Sequence, residues 1–330
     1  MQRIRPFVEK AYVASTQFDT EFNGRAIRSV GFTFDGTLSG TATGQIDDTL
    51  YNLLGTPRIV QDTTDLIAMQ GPDWKHLAAI GNGGYPPFST GNANGGYACD
   101  AMLNFTKFGR GSAINIAGTK LFMQGDFGAP TDGFTGGTPA FAGTLRPLVV
   151  GLGSDAPSGF TRPKITQRTI NLGTSALDEQ DRIRFDQPVR LAGIMLRALD
   201  GNTRVDGLIT KLWVEISSSS KILGGLDTEI RYTWRQARSL TSQFANWSES
   251  DRAESVGVVF IPLIDPLMED NLLHLQPADS ITLHFDTSST TEGGYSAVTQ
   301  GGDEKVVATI VAFSEVANRG VRGAGAELSR

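Results

Sequence analysis

Arg28-Ser-Val-Gly-Phe-Thr-Phe34 and Arg190-Leu-Ala-Gly-Ile-Met-Leu196 decide the architecture, because each sets alternating apolar residues around one glycine and the glycines lie 193 − 31 = 162 residues apart. Phe22 precedes the first run as Phe185 precedes the second. The correspondence continues downstream. Ile59-Val60 answers to Ile222-Leu223, Leu66 to Leu226 and Trp74 to Trp234, at offsets of 163, 160 and 160. Each half then runs through a Gly/Thr-rich stretch, Gly125–Thr144 or Thr287–Asp303, into a last apolar strand, Leu145–Leu152 or Lys305–Phe313. Elements recurring in one order at one offset read as a duplicated β-rich unit.

The strands between the glycine clusters alternate with period two. Leu212, Val214 and Ile216 share one face against Trp213 and Glu215, and Ile281, Leu283 and Phe285 oppose Thr282, His284 and Asp286. Period-two alternation places one face on a core and the other in water. Glycine, 39 residues in all, concentrates at Gly81–Gly96, Gly125–Gly143 and Gly293–Gly302, which predicts connections there. Many short strands joined by Gly-rich segments predict a sandwich or barrel, and the lack of strand-helix alternation argues against a parallel α/β sheet.

One helix is expected in each half. Leu226, Ile230, Trp234, Ala237, Leu240, Phe244 and Trp247 recur at spacings of three and four, with Asp227 and Glu229 in the first turn, where the helix dipole favours acids. In the first half Leu66 and Ile67 precede a break at Gly71-Pro72, and Pro72 suits a helix start ahead of Trp74, Leu77 and Ala78. Both stripes read as core-facing surfaces. The aperiodic stretch Gly151–Arg162 separates the halves, and residues 319–330 read as a mobile tail.

The 330 residues suffice for two ordinary cores. The net charge is −6, with 11 basic and 13 acidic residues up to Phe160 and 18 and 22 after it. A chain that tracks a phosphate backbone carries a basic excess, so nucleic-acid binding along the length is not expected. Only the first ten residues, with Arg3, Arg5 and Lys10 against Glu9, are locally basic. Cys99 stands alone, which excludes an intrachain disulfide and a cysteine metal cluster within one chain. Met-Gln-Arg-Ile-Arg-Pro lacks the apolar segment of a secretory signal, so export by that route is not expected, and the sequons at Asn104 and Asn246 are read as coincidental.

No motif specifies chemistry. Gly151-Leu-Gly-Ser-Asp-Ala156 has the outline of a dinucleotide loop, but Pro157, Ser158 and Gly159 follow where a helix must begin. His76, His274 and His284 form no paired-ligand motif, and His284 reads as a solvent-facing strand residue beside Thr282 and Asp286. Ser112 and Ser154 are not framed as nucleophile elbows. The acidic clusters Asp47-Asp48, Asp178-Glu179-Asp181 and Glu249-Asp251 read as solvated loops. A calcium loop at Asp126–Asp132 would lack the EF-hand ligand ladder.

Paired β-units with the Trp74 and Trp234 helices, decorating loops at Gly81–Asp100, Gly125–Thr144 and Thr287–Asp303, and small polar termini together resemble a known family. The chain resembles the double jelly-roll major capsid proteins of tailless icosahedral viruses with an internal membrane, the lineage that includes adenovirus-like capsids. The resemblance spans nearly the whole chain and rests on architecture, without an invariant motif.

It implies an all-β fold with short helices, built as two tandem eight-stranded jelly rolls. Residues 1–153 would form the first, 154–161 a linker, 162–318 the second and 319–330 a flexible tail. It implies a homotrimer with a pseudo-hexameric outline, contacts with neighbouring capsomers and other capsid proteins, and a place in the shell of a virion, bacteriophage virions included, assembled in the host cytoplasm. A terminus facing the internal membrane is a further implied contact, and sequence-specific nucleic acid is not. It implies no enzyme activity, no catalytic or metal-binding residues and no cofactor. Phe88, Phe134 and Phe141, on the long connections, are expected to be exposed and to contribute to subunit contacts. A two-jelly-roll glycan-processing enzyme is the alternative, and a glycan-binding spike with Trp213, Tyr85 and Tyr295 as stacking residues is another.

Overall fold

A computed structural model describes residues 3–6, 8–22, 26–86, 95–109, 112–116, 118–152, 161–172, 178–217, 229–263, 272–277, 279–287 and 303–315. The first half supplies strands β1 (Arg3–Pro6), β2 (Gln17–Phe22), β3 (Ala26–Gly40), β4 (Arg58–Gln61), β5 (Thr64–Ala68), β6 (Gly96–Asn104), β7 (Leu121–Asp126) and β8 (Pro139–Leu152). The second supplies β9 (Thr161–Asn171), β10 (Glu179–Arg184), β11 (Val189–Asp200), β12 (Ile209–Ser217), β13 (Glu229–Thr233), β14 (Val258–Pro262), β15 (Ser280–Thr287) and β16 (Glu304–Glu315). Helices α1 (Thr49–Asn52), α2 (Gly71–Asn82), α3 (Phe105–Phe108), α4 (Trp234–Ala245) and α5 (Glu249–Glu254) lie between them. Among the described residues no helix is long and apolar enough to cross a membrane.

The two halves share one connectivity. In the first, antiparallel sheets run β1-β8-β3-β6 and β2-β7-β4-β5; in the second, β9-β16-β11-β14 and β10-β15-β12-β13. Each is the pair of four-stranded sheets of a jelly roll, so the chain is all-β with short helices and holds two such sandwiches. A parallel contact of Ile67 on β5 with Ile165 on β9 joins the second sheet of the first sandwich to the first sheet of the second.

The repeated glycines explain themselves in this frame. Gly31 lies between Leu148 and Met102, and Gly193 between Val311 and Pro262. A Cβ at Gly31 would sit 1.9 Å from the Ala101 carbonyl oxygen; one at Gly193 would sit 2.6 Å from that of Ile261. The neighbouring strand presses on the glycine in both units.

Two apolar cores result. The first gathers Phe22, Phe32, Phe34, Trp74, Leu121 and Phe134; the second gathers Leu196, Val214, Trp234, Ile261, Leu283 and Phe285. The sheet β9-β16-β11-β14 belongs to both. On β11, Ile194, Leu196 and Ala198 enter the second core while Ala192 and Met195 enter the first, and Val259 and Ile261 alternate likewise with Val258 and Phe260 on β14. A sheet covered on both faces reads as a nearly continuous apolar run, as in Val258–Ile261 and, but for Thr309, in Val306–Phe313.

Several boundaries depart from the sequence reading. Helix α2 begins at Gly71-Pro72 as expected, with Leu66 and Ile67 before it in β5, but Ile230 lies in β13, so α4 begins later than its apolar stripe. A spacing of four fits the period of a strand as well as that of a helix, so Ile230 and Trp234 share a stripe without sharing a helix. Thr233 stops the strand and caps α4: its hydroxyl accepts from the Gln236 amide at 3.2 Å while the Gln236 side chain accepts from the Thr233 amide at 2.9 Å. Glu229 is therefore strand, the first turn of α4 holds no acid, and Asp227 and Leu226 lie outside the described residues.

The Gly125–Thr144 stretch is partly strand, since β8 begins at Pro139 and Phe134-Thr135 pairs with Gly44-Gln45. Phe134 and Phe141 are core residues with rings 6.1 Å apart, contrary to their expected exposure; Phe88 lies outside the described residues. Gly81–Asp100 likewise contains the end of α2 and the start of β6. Ile222-Leu223 also lies outside them, and the strand that takes the place of β4 is β12. Thr287 ends β15, and residues 288–302 lie outside the described residues.

Candidate functional site: the seam between the two sandwiches

Helix α2 fills the seam. Every residue from Gly71 to Gly81 is buried, including Asp73, Lys75 and His76, because the first core lies on one side and the shared sheet on the other. Buried charges survive only with partners. Arg197 of β11 provides one set: its Nε donates to Asp73 Oδ1 at 3.1 Å and its Nη2 to Asp73 Oδ2 at 2.9 Å and to Gln70 Oε1 at 2.7 Å. Gln167 of β9 donates to Asp73 at 2.5 Å and accepts from the Gln70 amide at 2.9 Å. Burial lifts the Asp73 carboxyl above its ordinary range against the pull of Arg197.

A second set surrounds Asp48. Lys75 Nζ donates to Asp48 Oδ1 at 2.8 Å and also binds Glu254 of α5, while Arg204 stands 3.2 Å from Asp48 Oδ2. His76 Nε2 lies 3.2 Å from Asp48 Oδ2, and His76 Nδ1 lies 2.8 Å from the Tyr85 hydroxyl. Burial pushes the His76 imidazole down to about 3, so the ring is neutral at pH 7, with Nε2–H donating to Asp48 and Nδ1 accepting from Tyr85. Burial opposes ionisation of Asp48, but His76, Lys75 and Arg204 overcome it and hold the carboxyl well below its ordinary range. Tyr85 also packs on Trp247, ring centroids 5.5 Å apart, and its amide donates to Asp251 at 2.8 Å.

These contacts correct two readings. Asp48 is buried rather than in a solvated loop, and Tyr85 is engaged within the fold rather than presented for stacking; His76 is interior. Glu249 and Asp251 sit in the first turn of α5, where Asp251 and Ser248 cap each other. The seam was not legible because its members, residues 48, 75, 76, 204 and 254, are far apart in the chain and carry no motif. A buried Asp73-Trp-Lys-His76 run beside Pro72 was the one available hint, since a helix that is polar on a face and still covered needs ionic partners.

His284 differs from expectation in another way. It lies on the outer face of β15, yet only 7 % of it is exposed, because Trp213 stacks on it at 4.8 Å and 11°. Its Nδ1 meets Asp178 Oδ1 at 2.5 Å and its Nε2 meets Glu215 Oε2 at 3.3 Å, and the imidazole contact lowers the Asp178 carboxyl. The Arg231 guanidinium lies 5.4 Å from the Trp213 ring centroid. Neighbours on one sheet face thus form a stack and two hydrogen-bonded contacts to carboxylates, with no nucleophile among them.

The remaining candidates are structural where they are described. Ser112 bonds Thr161 at 2.7 Å, Cys99 is buried on β6, and Asp132 accepts from the Ala129 amide at 2.8 Å. Among the described residues no group of three or more His, Cys, Asp or Glu is placed to hold a metal. Ser154 and Tyr295, and the glycine loop beyond Leu152, lie outside the described residues. A polar cleft of ≈ 300 Å³ opens at the seam between Gln70, Asp132, Arg197, Asn202 and Lys305. The Arg197 guanidinium in its wall is already bound by Asp73 and Gln70.

No family model matches the sequence, and no curated protein matches it. Solved structures do share the fold. The crystal structure of the major capsid protein of Sulfolobus Turreted Icosahedral Virus superposes with a TM-score of 0.68 at 13% identity, covering 95% of this chain and 96% of that one. The capsid of the virus PBCV-1 matches with a TM-score of 0.61 at 10% identity over 95% of this chain and 94% of that one. Major capsid protein P2 of bacteriophage PM2 matches with a TM-score of 0.54 at 12% identity over 97% and 100%. The fold is the double jelly roll found in these viral major capsid proteins, over 95–97% of this chain.

Proposed function

We propose that this protein is the major structural protein of a virion, and that three copies form a pseudo-hexameric capsomer that tiles an icosahedral shell. The observation that carries the reading is the full-length double jelly roll whose two units share a buried wall. A duplicated sandwich has a use in a shell: three two-lobed chains present six similar sides, so one threefold capsomer fills a near-hexagonal net. The ionic seam supports this use, because Asp73–Arg197 and Lys75–Glu254 fix the angle between the lobes.

In this reading residues 1–153 and 162–318 are the two jelly rolls, 154–161 links them and 319–330 is a flexible tail. The function is assembly, without catalytic residues, metal or cofactor. Partners are the other two copies, neighbouring capsomers, other capsid proteins, and an internal viral membrane reached by one terminus; no specific nucleic-acid sequence is read. The protein would be made and assembled in the host cytoplasm, in a bacteriophage or a related virus.

Light scattering on the purified chain over a hundred-fold concentration range tests the core of this proposal. The expected mass is three times the chain's 35.3 kDa. A mass that stays at one chain throughout would contradict it.

A further inference from the structure

The polar cleft at the seam is lined by groups that the fold itself does not use. Its floor is the end of the shared sheet. Lys305, near the start of β16, lies opposite Leu199, near the end of β11, and Val307 lies opposite Arg197 in the next row. Val311 and Phe313, further along β16 by even steps, enter the first core, so alternation turns Lys305 and Val307 toward the first lobe. That lobe supplies the facing wall, with Asn52 at the end of α1 and Thr131 and Asp132 in the turn before β8. Asn202, in the turn after β11, completes the lining, and with Thr131 and Asp132 it is exposed, so solvent reaches the cleft.

Three of these groups have bonding capacity to spare. Arg197 is neutralised by Asp73, but Lys305 and Asn202 have no side-chain hydrogen bond or ion pair among the described residues. Asp132 uses one oxygen, Oδ2, on the Ala129 amide, and its other oxygen has no partner among them. The two charges do not bond each other across the cleft. A cation, a half-used carboxylate and neutral polar groups, set beside the buried side chains of Leu199 and Val307 in ≈ 300 Å³, are the parts of a small-molecule site.

Each part restricts the occupant. Lys305 calls for an anionic group, since a charge-assisted hydrogen bond is stronger than a neutral one. Asp132 disfavours phosphate or sulfate, whose acceptor oxygens it would repel, and suits a hydroxyl, which can donate to it. Asn52, Thr131 and Asn202 outnumber the unpaired charges and match a ligand rich in hydroxyls, while Leu199 and Val307 match the C–H face of a pyranose ring. We propose that the cleft binds a carboxylated monosaccharide unit, with its carboxylate on Lys305, hydroxyls on Asp132 and Asn202, and one ring face on Leu199 and Val307. The site lies within one chain, so it does not depend on the trimer. On the virion reading it gives the shell a point of attachment to acidic polysaccharide.

Titration of the purified protein with glucuronate, galacturonate, N-acetylneuraminate, glucose and inorganic phosphate, followed by methyl NMR at Leu199 and Val307, tests the assignment. A ligand of this size should bind in the millimolar range. At least one of the three acids should shift both methyl signals, bind about tenfold or more tightly than glucose or phosphate, and lose about tenfold in affinity in Lys305→Gln. Asn202→Ala should weaken it about threefold. Equal binding of glucose would overturn the role of Lys305, and equal binding of phosphate would overturn the sugar; either result removes the proposal. An acid that binds without moving those methyl signals, or that binds Lys305→Gln like the parent, would place the site elsewhere and overturn it here. So would the absence of binding by all three acids at about 50 mM. If Lys305→Gln fails to fold, the methyl shifts of the parent and Asn202→Ala decide. Light scattering on the same samples reports the trimer separately, so failure of one reading is distinguished from failure of the other.

Discussion

Gly31 and Gly193 carry backbone of a neighbouring strand where a side chain would begin, and this close approach makes them the residues most sensitive to a small change. Gly31→Ala should destabilise the protein by about 2–3 kcal/mol, because the Ala101 carbonyl cannot move without shifting β6. Gly193→Ala should cost a similar amount, and urea unfolding of both variants checks the pair. His76 supplies a pH dependence. Its value in the folded protein, about 3, lies below its ordinary 6.5, so the unfolded chain takes up the proton first. The stabilisation is complete above pH 6.5 and is lost as pH falls from 6.5 toward 3, on the order of a few kcal/mol. Melting temperature against pH should show that slope, and His76→Gln should flatten it. His284 is buried under Trp213, so His284→Ala removes a stacked ring together with its contacts to the half-exposed Asp178 and Glu215; it should cost about 1–2 kcal/mol and leave assembly intact. The glycines were legible because a shared offset exposes them. His76 was not, because Asp48 and Arg204, which define its environment, are brought to it only by tertiary structure.

At the scale of elements, α4 depends on where a strand stops. Thr233 ends β13 and caps the helix through Gln236, so Thr233→Ala should cost about 1 kcal/mol, and loss of helical signal should track the loss of stability. Trp74 and Trp234 anchor α2 and α4 in the two cores, with indole nitrogens donating to the Pro57 carbonyl and to Asp206. Truncation of either to alanine should cost roughly 3–5 kcal/mol, to be read in the same unfolding experiment. Strands with one solvent face, such as β12, were legible from alternation alone. The start of α4 was not, because residues four apart satisfy both periods, and only the capping pair resolves them. Phe134 and Phe141 misled for a related reason: a glycine-rich segment reads as a loop although parts of it pair across the sheet and turn both rings inward.

For the whole molecule, duplication explains the order of elements, the place of both tryptophan helices and the shared wall, and it does so in a sequence that matches no family model. The offsets of 162 at the glycines and 160 at the tryptophans hold because each unit keeps the same order of strands around its glycine and its helix. The seam between the units was hidden, since it is the one part of the molecule that the repeat does not copy: α2 is enclosed by the second unit, and α4 has no third unit in the same chain to enclose it. The assembly proposal rests on the two-lobed fold itself. Electron cryo-microscopy of the assembled protein tests it directly. The account predicts capsomers of three chains whose six lobes are filled alternately by residues 3–152 and 161–315. Particles built of isolated two-lobed monomers would contradict it.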